Sequence, residues 1–154
     1  MKFVQLLFCS LFLGPLSYGQ EVDKAAVKKA VEGFFEAFHR QDSLAMKAFV
    51  AEEAFLQTTT RDKEGKTQFK SQAMEKLYES IVSIPKGIEF EEKLTSWNIQ
   101  IDRTMANAWV GYEFWYNGNF SHCGINSIQM VNFDGNWKIV YLIDTRGSAG
   151  CLEE

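Results

Sequence analysis

The sequence predicts an α+β fold, helices first and a long antiparallel meander after them, and three observations carry that expectation. Apolar side chains recur at helical spacing between Val27 and Phe38. From Glu89 onward the chain is rich in aromatic and β-branched residues. Asn117-Gly118 and Asp134-Gly135 then punctuate that second half. Val27, Val31, Phe34 and Phe38 stand at steps of four, three and four, which places them on one buried helical face. The two dipeptides favour two-residue hairpin turns, because both central positions need positive φ.

Taken in order, Asp23 is placed to cap the first helix and Arg40 falls near its C-terminus. Asp42 or Ser43 caps a second, short helix through about Glu52, burying Leu44, Ala48 and Phe49. Ala54 to Thr60 reads as a strand, Asp62 to Gly65 as a turn, and Thr67 to Phe69 as a short return strand. Ser71 caps a third helix whose apolar face is Met74, Leu77, Tyr78 and Ile81, ended by Pro85 and Gly87. Strands follow over Ile88 to Ile101, Ala106 to Tyr116, Phe120 to Phe133 and Trp137 to Thr145. Three helices before a meander imply a sheet wrapped around a helical layer.

The N-terminus reads differently. Lys2 precedes the mostly apolar run Phe3 to Leu13, Gly14-Pro15 break it, and Ser17 and Gly19 put small residues before a cleavage point. That layout is a secretory signal, and the run is about half the roughly 20 residues a membrane span needs. Residues 1–19 are therefore expected to be removed, leaving residues 20–154 as one exported domain, periplasmic or secreted, with no membrane anchor. Removal of Lys2 leaves 15 basic and 20 acidic residues, a net charge of −5. With no basic cluster, a nucleic-acid surface is not expected. Two histidines, no CxxC and no HExxH argue against a metal site, and no cofactor is expected. Cys123 and Cys151 remain after cleavage. Two cysteines are not a disulfide framework, and the Gly-rich setting of Cys151 leaves their pairing open.

The element order, ending on Trp137-Lys138-Ile139 after Asp134-Gly135, resembles the nuclear transport factor 2-like superfamily. The closer likeness is to its SnoaL-like, lumazine-binding branch of exported bacterial proteins. It rests on His39-Arg40-Gln41-Asp42, Glu53-Ala54-Phe55-Leu56, Tyr112-Glu113-Phe114, Ser121-His122-Cys123-Gly124 and Ile143-Asp144-Thr145-Arg146. The resemblance implies a cone-shaped curved sheet whose concave face and helices enclose one pocket, and it implies a homodimer. It does not supply a catalytic set: related isomerases use a tyrosine of the first helix where this chain has Phe34-Phe35. The fold hosts enzymes and plain binding proteins alike.

Two-residue hairpins also allow a count of faces. If Tyr116 pairs with Asn119, then Glu113 lies opposite His122; if Phe133 pairs with Asn136, Met130 lies opposite Ile139. Alternation then puts Trp109, Gly111, Glu113, Trp115, His122, Asn126, Ile128, Met130, Trp137, Ile139, Tyr141 and Ile143 on one face. That face, with three tryptophans, is expected to be concave. The other face, with Tyr112, Phe114, Leu142, Asp144 and Arg146, is expected to point outward and to form the dimer contact. A carboxylate among large apolar groups needs a partner, and a facing imidazole suits it. Glu113 and His122 are thus candidates for proton transfer or ligand orientation, and equally for a purely structural hydrogen bond. Trp109, Trp115, Asn126, Tyr141, Phe34, Phe38 and Tyr78 are the candidate ligand contacts. His39 is expected to meet its helix C-terminus. Thr58, Thr59 and Thr60 read as ordinary strand residues.

Three functions fit. The first is a pocket protein for a small, largely hydrophobic molecule. The second is an acid/base isomerase, dehydratase or cyclase using Glu113 and His122. The third is an interaction module working through the outer sheet face.

Overall fold

The computed structural model describes residues 16–148 and 151, with side chains from residue 23 onward. The apolar run of the expected signal segment lies outside the described residues. Helix α1 spans Leu16–His39, α2 Ser43–Lys47 and α3 Met74–Ser83. The strands are β1 Val50–Arg61, β2 Thr67–Ala73, β3 Phe90–Asp102, β4 Met105–Tyr116, β5 Asn119–Phe133 and β6 Asn136–Arg146.

All six strands share one sheet in the order β2-β1-β6-β5-β4-β3. Strands β3 to β6 form the expected meander, but β1 runs parallel to β6, so the sheet is mixed. Both hairpin turns hold two residues, with positive φ at Asn117 and Gly118 and at Asp134 and Gly135. The helical layer covers the concave face. Phe34, Val27 and Val31 of α1 and Met46 of α2 are fully buried there, against Ile128, Met130, Ile139 and Val110 of the sheet. Burying side chains of this size supplies roughly 1.5–3 kcal/mol each.

The second helix is shorter than its sequence suggests. Asp42 caps it by accepting a hydrogen bond from the Ala45 amide at 2.9 Å. It stops at Lys47 because the next residues join the sheet, where the Ile139 amide donates to the Phe49 carbonyl at 2.8 Å. Met46 is the buried residue, while Leu44 is 80% exposed. Ser71 likewise belongs to β2, opposite Gln57, and Ala73 rather than Ser71 precedes α3.

Cys123 and Cys151 form a disulfide, with Cα atoms 5.8 Å apart. Cys123 also exchanges both backbone hydrogen bonds with Gly147, each at 2.9 Å, so the chain beyond β6 is held against β5 by ladder and bridge together. Gly124 beside it has no space for a side chain: a Cβ there would lie 1.8 Å from the Thr145 carbonyl oxygen.

Candidate functional site

The ladder is interrupted where the faces were counted. In the β4–β5 hairpin Tyr116 pairs with Asn119 and Trp115 with Phe120, but Phe114 then pairs with His122, leaving Ser121 as a bulge. Glu113 is opposite Cys123. A second interruption lies in β6, where Met130 pairs with Ile139 but Gln129 with Tyr141, so Val140 is the extra residue. A one-residue slip sends every later side chain to the other face.

The expected Glu113–His122 dyad is therefore not formed. His122 keeps its concave position, whereas Glu113 is on the outer face and accepts a hydrogen bond from Trp115 Nε1 at 2.9 Å. Trp115 is outside too, edge-on to Phe120 with Lys93 Nζ 4.4 Å above its ring. Trp109 is 51% exposed. The Tyr141 hydroxyl donates to Gln57 Oε1, again on the outer side. Tyr78 is buried in the core, under Lys47 Nζ, and does not line the cavity. Asn126, Phe34, Phe38 and His122 do line it. Tyr112, Phe114, Leu142, Asp144 and Arg146, expected outside, turn inward.

The resulting cavity holds about 300 Å³ between α1, α3 and the concave sheet. Phe34, Phe35 and Phe38 of α1, Leu77 and Ile81 of α3, and Ile84 just after it form its apolar side. Glu92, His122, Asn126, Asp144 and Arg146 form its polar side. A wider groove of about 960 Å³ adjoins it at Thr60, Cys123, Gly124 and Cys151, and His122 and Arg146 border both spaces. The groove is larger but open, with a wall of threonines and backbone. Tighter enclosure and a mixed apolar and polar lining make the smaller cavity the candidate site.

Two carboxylates on that polar side differ sharply. Asp144 is saturated: Thr58 Oγ1 donates to Oδ1 at 2.5 Å, Arg146 Nε to Oδ2 at 2.6 Å, and the Tyr112 hydroxyl lies 3.3 Å from Oδ2. The Tyr112 hydroxyl donates more closely to the Thr145 carbonyl, at 2.9 Å. Burial, with Asp144 and Glu92 adding to it, raises the Tyr112 pKa, so that hydroxyl stays protonated. Burial works against the Arg146 charge, but its bond to Asp144 outweighs this and raises its pKa.

Glu92 has one side-chain partner, Asn126 Nδ2 at 2.7 Å from Oε1. Burial pushes its pKa up to about 7, Asp144 adding to the rise while Asn126 and Arg146 oppose it. Its backbone amide donates to His39 Nε2 at 2.9 Å, so His39 serves the edge strand rather than its own helix end. Burial lowers the His39 pKa, which keeps the accepting nitrogen unprotonated. His122 stacks on Phe114 at 5.0 Å and stands edge-on to Tyr112 at 5.8 Å. Its pKa is lowered by burial and by Arg146, against a smaller rise from Asp144.

Glu92 is the site residue the sequence reading missed. It hides in the charged run Glu91-Glu92-Lys93, yet it shares a face with Phe90 and Leu94, and period-two alternation would have placed it inside. Thr58, read as an ordinary strand residue, is a ligand to Asp144.

No protein-family model matches this sequence, and a search of curated proteins finds no match. Solved structures do match. A protein of Nostoc punctiforme with a cystatin-like fold superposes with a TM-score of 0.64 at 14% identity, covering 83% of this chain and 93% of that one. A nuclear transport factor 2-like protein of Shewanella baltica gives 0.61 at 16% identity, over 88% of this chain and 100% of that one. A proposed dehydratase of the same family from Streptomyces avermitilis gives 0.62 at 13% identity, over 84% and 99%. Identities this low speak for architecture alone, and the architecture is that of the nuclear transport factor 2-like, or cystatin-like, fold.

Proposed function

We propose that the chain is an exported binding protein that takes one small, largely hydrophobic molecule into this cavity, with its polar end toward Glu92 and Asn126. The carrying observation is the partly enclosed space of about 300 Å³, apolar toward the helices and polar toward the sheet. That volume is at the lower end of small-molecule pockets and suits a compact ring system. The signal-like N-terminus and the motif likeness to SnoaL-like exported proteins support export.

Calorimetric titration with propylbenzene, a neutral compact probe, tests the reading. One saturable site per chain is expected, and it should vanish when Leu77→Trp fills the space. Absence of binding, or binding untouched by Leu77→Trp, would overturn the proposal.

A second reading, acid–base catalysis, is favoured by one observation: a carboxyl with a pKa of about 7 lines the cavity. Its proton-transfer group would be Glu92, since Glu113 does not reach the cavity. Turnover lost in Glu92→Gln with binding retained would establish it. The exposed Met105, Trp109 and Phe133 on the outer face support a homodimer through that face, and a monomer by light scattering would exclude it.

A further inference from the structure

The polar side of the cavity is short of one positive group. Asp144 and Arg146 offset each other, and every oxygen of Asp144 already has a donor. Glu92 is different. Its Oε1 receives only the neutral Asn126 amide, and among the described residues its Oε2 has no donor at all. The groups near it from each packed element are His39 of α1, Tyr112 of β4, His122 of β5, and Asp144 with Arg146 of β6. Both histidines have lowered pKa values and Tyr112 keeps its proton, so none supplies a cation to Glu92. Arg146, the one lysine or arginine that lines this cavity among the described residues, directs its Nε to Asp144. Phe114, the partner of Glu92 in the β3–β4 ladder, and Phe34 and Phe38 of α1 line the same cavity.

Resting on the reading of this cavity as a ligand site, we infer that its ligand is a hydrophobic amine, whose ammonium group donates to Glu92 Oε2 and whose apolar body lies among the phenylalanines. A ligand cation supplies the missing donor, gives the half-buried carboxylate a compensating charge, and meets aromatic faces that attract it. A ligand carboxylate would do the reverse, adding a third acid beside Glu92 and Asp144. It would bind only with Glu92 protonated.

These two ligand classes move protons in opposite directions. The Glu92 pKa of about 7 means the carboxyl is about half protonated at neutral pH. An ammonium group expels that proton, so binding at pH 7 should release about half a proton per site. An acceptor ligand should take up a similar amount.

The test compares three probes on the mature, disulfide-bonded chain: phenethylamine, its neutral isostere propylbenzene, and the anion hydrocinnamate. Titration at pH 7 in phosphate and in Tris reads affinity and the number of protons exchanged. Phenethylamine should bind about tenfold or more tighter than propylbenzene, a difference of the size a buried charge-assisted bond supplies, with proton release. Glu92→Gln, which keeps the oxygen that Asn126 bonds, should abolish that advantage and the proton release. Hydrocinnamate binding as tightly as phenethylamine, or amine binding without proton release, overturns the inference while the pocket stands. If none of the three binds, the pocket reading fails with it.

Discussion

The two ends of the concave face are built on opposite terms. From Phe133 to Met130 the β5–β6 ladder is regular against Asn136 to Ile139, and Met130, Trp137 and Ile139 are buried among the helices. Past Val140 and around Ser121 the ladder slips, and the same strands present Leu142, Asp144, Arg146 and His122 to a cavity. The first end is close-packed apolar surface. The second leaves space beside a carboxylate at about pKa 7. Bulges mark the change because each resets which side chains face inward without ending the strand. One sheet thus carries a close-packed end and an end that lines a cavity.

Truncation should separate the ends by the largest margin. Ile139→Ala removes a fully buried side chain from the packed end, where neighbours have little room to collapse, and should cost about 2–5 kcal/mol. Leu142→Ala enlarges a space that already exists, so its cost should be at the bottom of that range. Chemical denaturation of both variants measures the difference. Equal losses would mean that the cavity end is packed as tightly as the other.

How far the sequence foretells each end follows from the same distinction. The packed end is legible: Val27, Val31, Phe34 and Phe38 announce α1, and Asn117-Gly118 and Asp134-Gly135 announce both turns. Pairing of Met130 with Ile139 follows correctly from the second turn. Counting fails one residue beyond, in both hairpins. Neither Ser121 nor Val140 has a residue type that declares a bulge, and each places its following residues on the unexpected face. An unbroken count makes Trp109, Trp115 and Tyr141 lining residues and Tyr112, Asp144 and Arg146 outer ones. The apolar count misled as well, because tryptophan on an outer face is as apolar as tryptophan in a pocket. Pairing of Cys123 with Cys151 depends on the return of the chain past Gly147, which no local pattern encodes.

A middle-sized effect concerns Glu92 and has a sign that depends on pH. Its pKa is about 7 in the folded chain against an ordinary value of 4.5, so it is raised by folding. A raised carboxyl leaves stability untouched below its unfolded pKa and lowers it progressively as pH climbs toward the folded value. Above pH 7 the penalty is about 3 kcal/mol. Glu92→Gln should therefore stabilise the protein by up to about that amount at pH 8 and by little at pH 4. Thermal unfolding of both proteins across that range shows the sign directly. A variant less stable at pH 8 than the parent would mean that Glu92 already has a compensating charge in the free protein.

The smallest effect is the most pointed for the face count. Glu113 lies opposite Cys123, one position from where a bulge-free hairpin would have paired it with His122. Its side chain reaches Trp115 Nε1 on the outer face and does not line the cavity. Glu113→Gln keeps an oxygen for that indole to bond, removes only a charge, and leaves the concave surface unaltered. Stability should change by no more than about 0.5 kcal/mol, as for ordinary surface substitutions. Propylbenzene and phenethylamine should bind as they do to the parent. Glu92→Gln, on the neighbouring strand but on the inner side of the sheet, should alter amine binding while Glu113→Gln does not. That contrast depends only on which face each carboxylate occupies, so it tests the Ser121 bulge in solution. Loss of ligand binding in Glu113→Gln would place Glu113 on the concave side and restore the unbulged register.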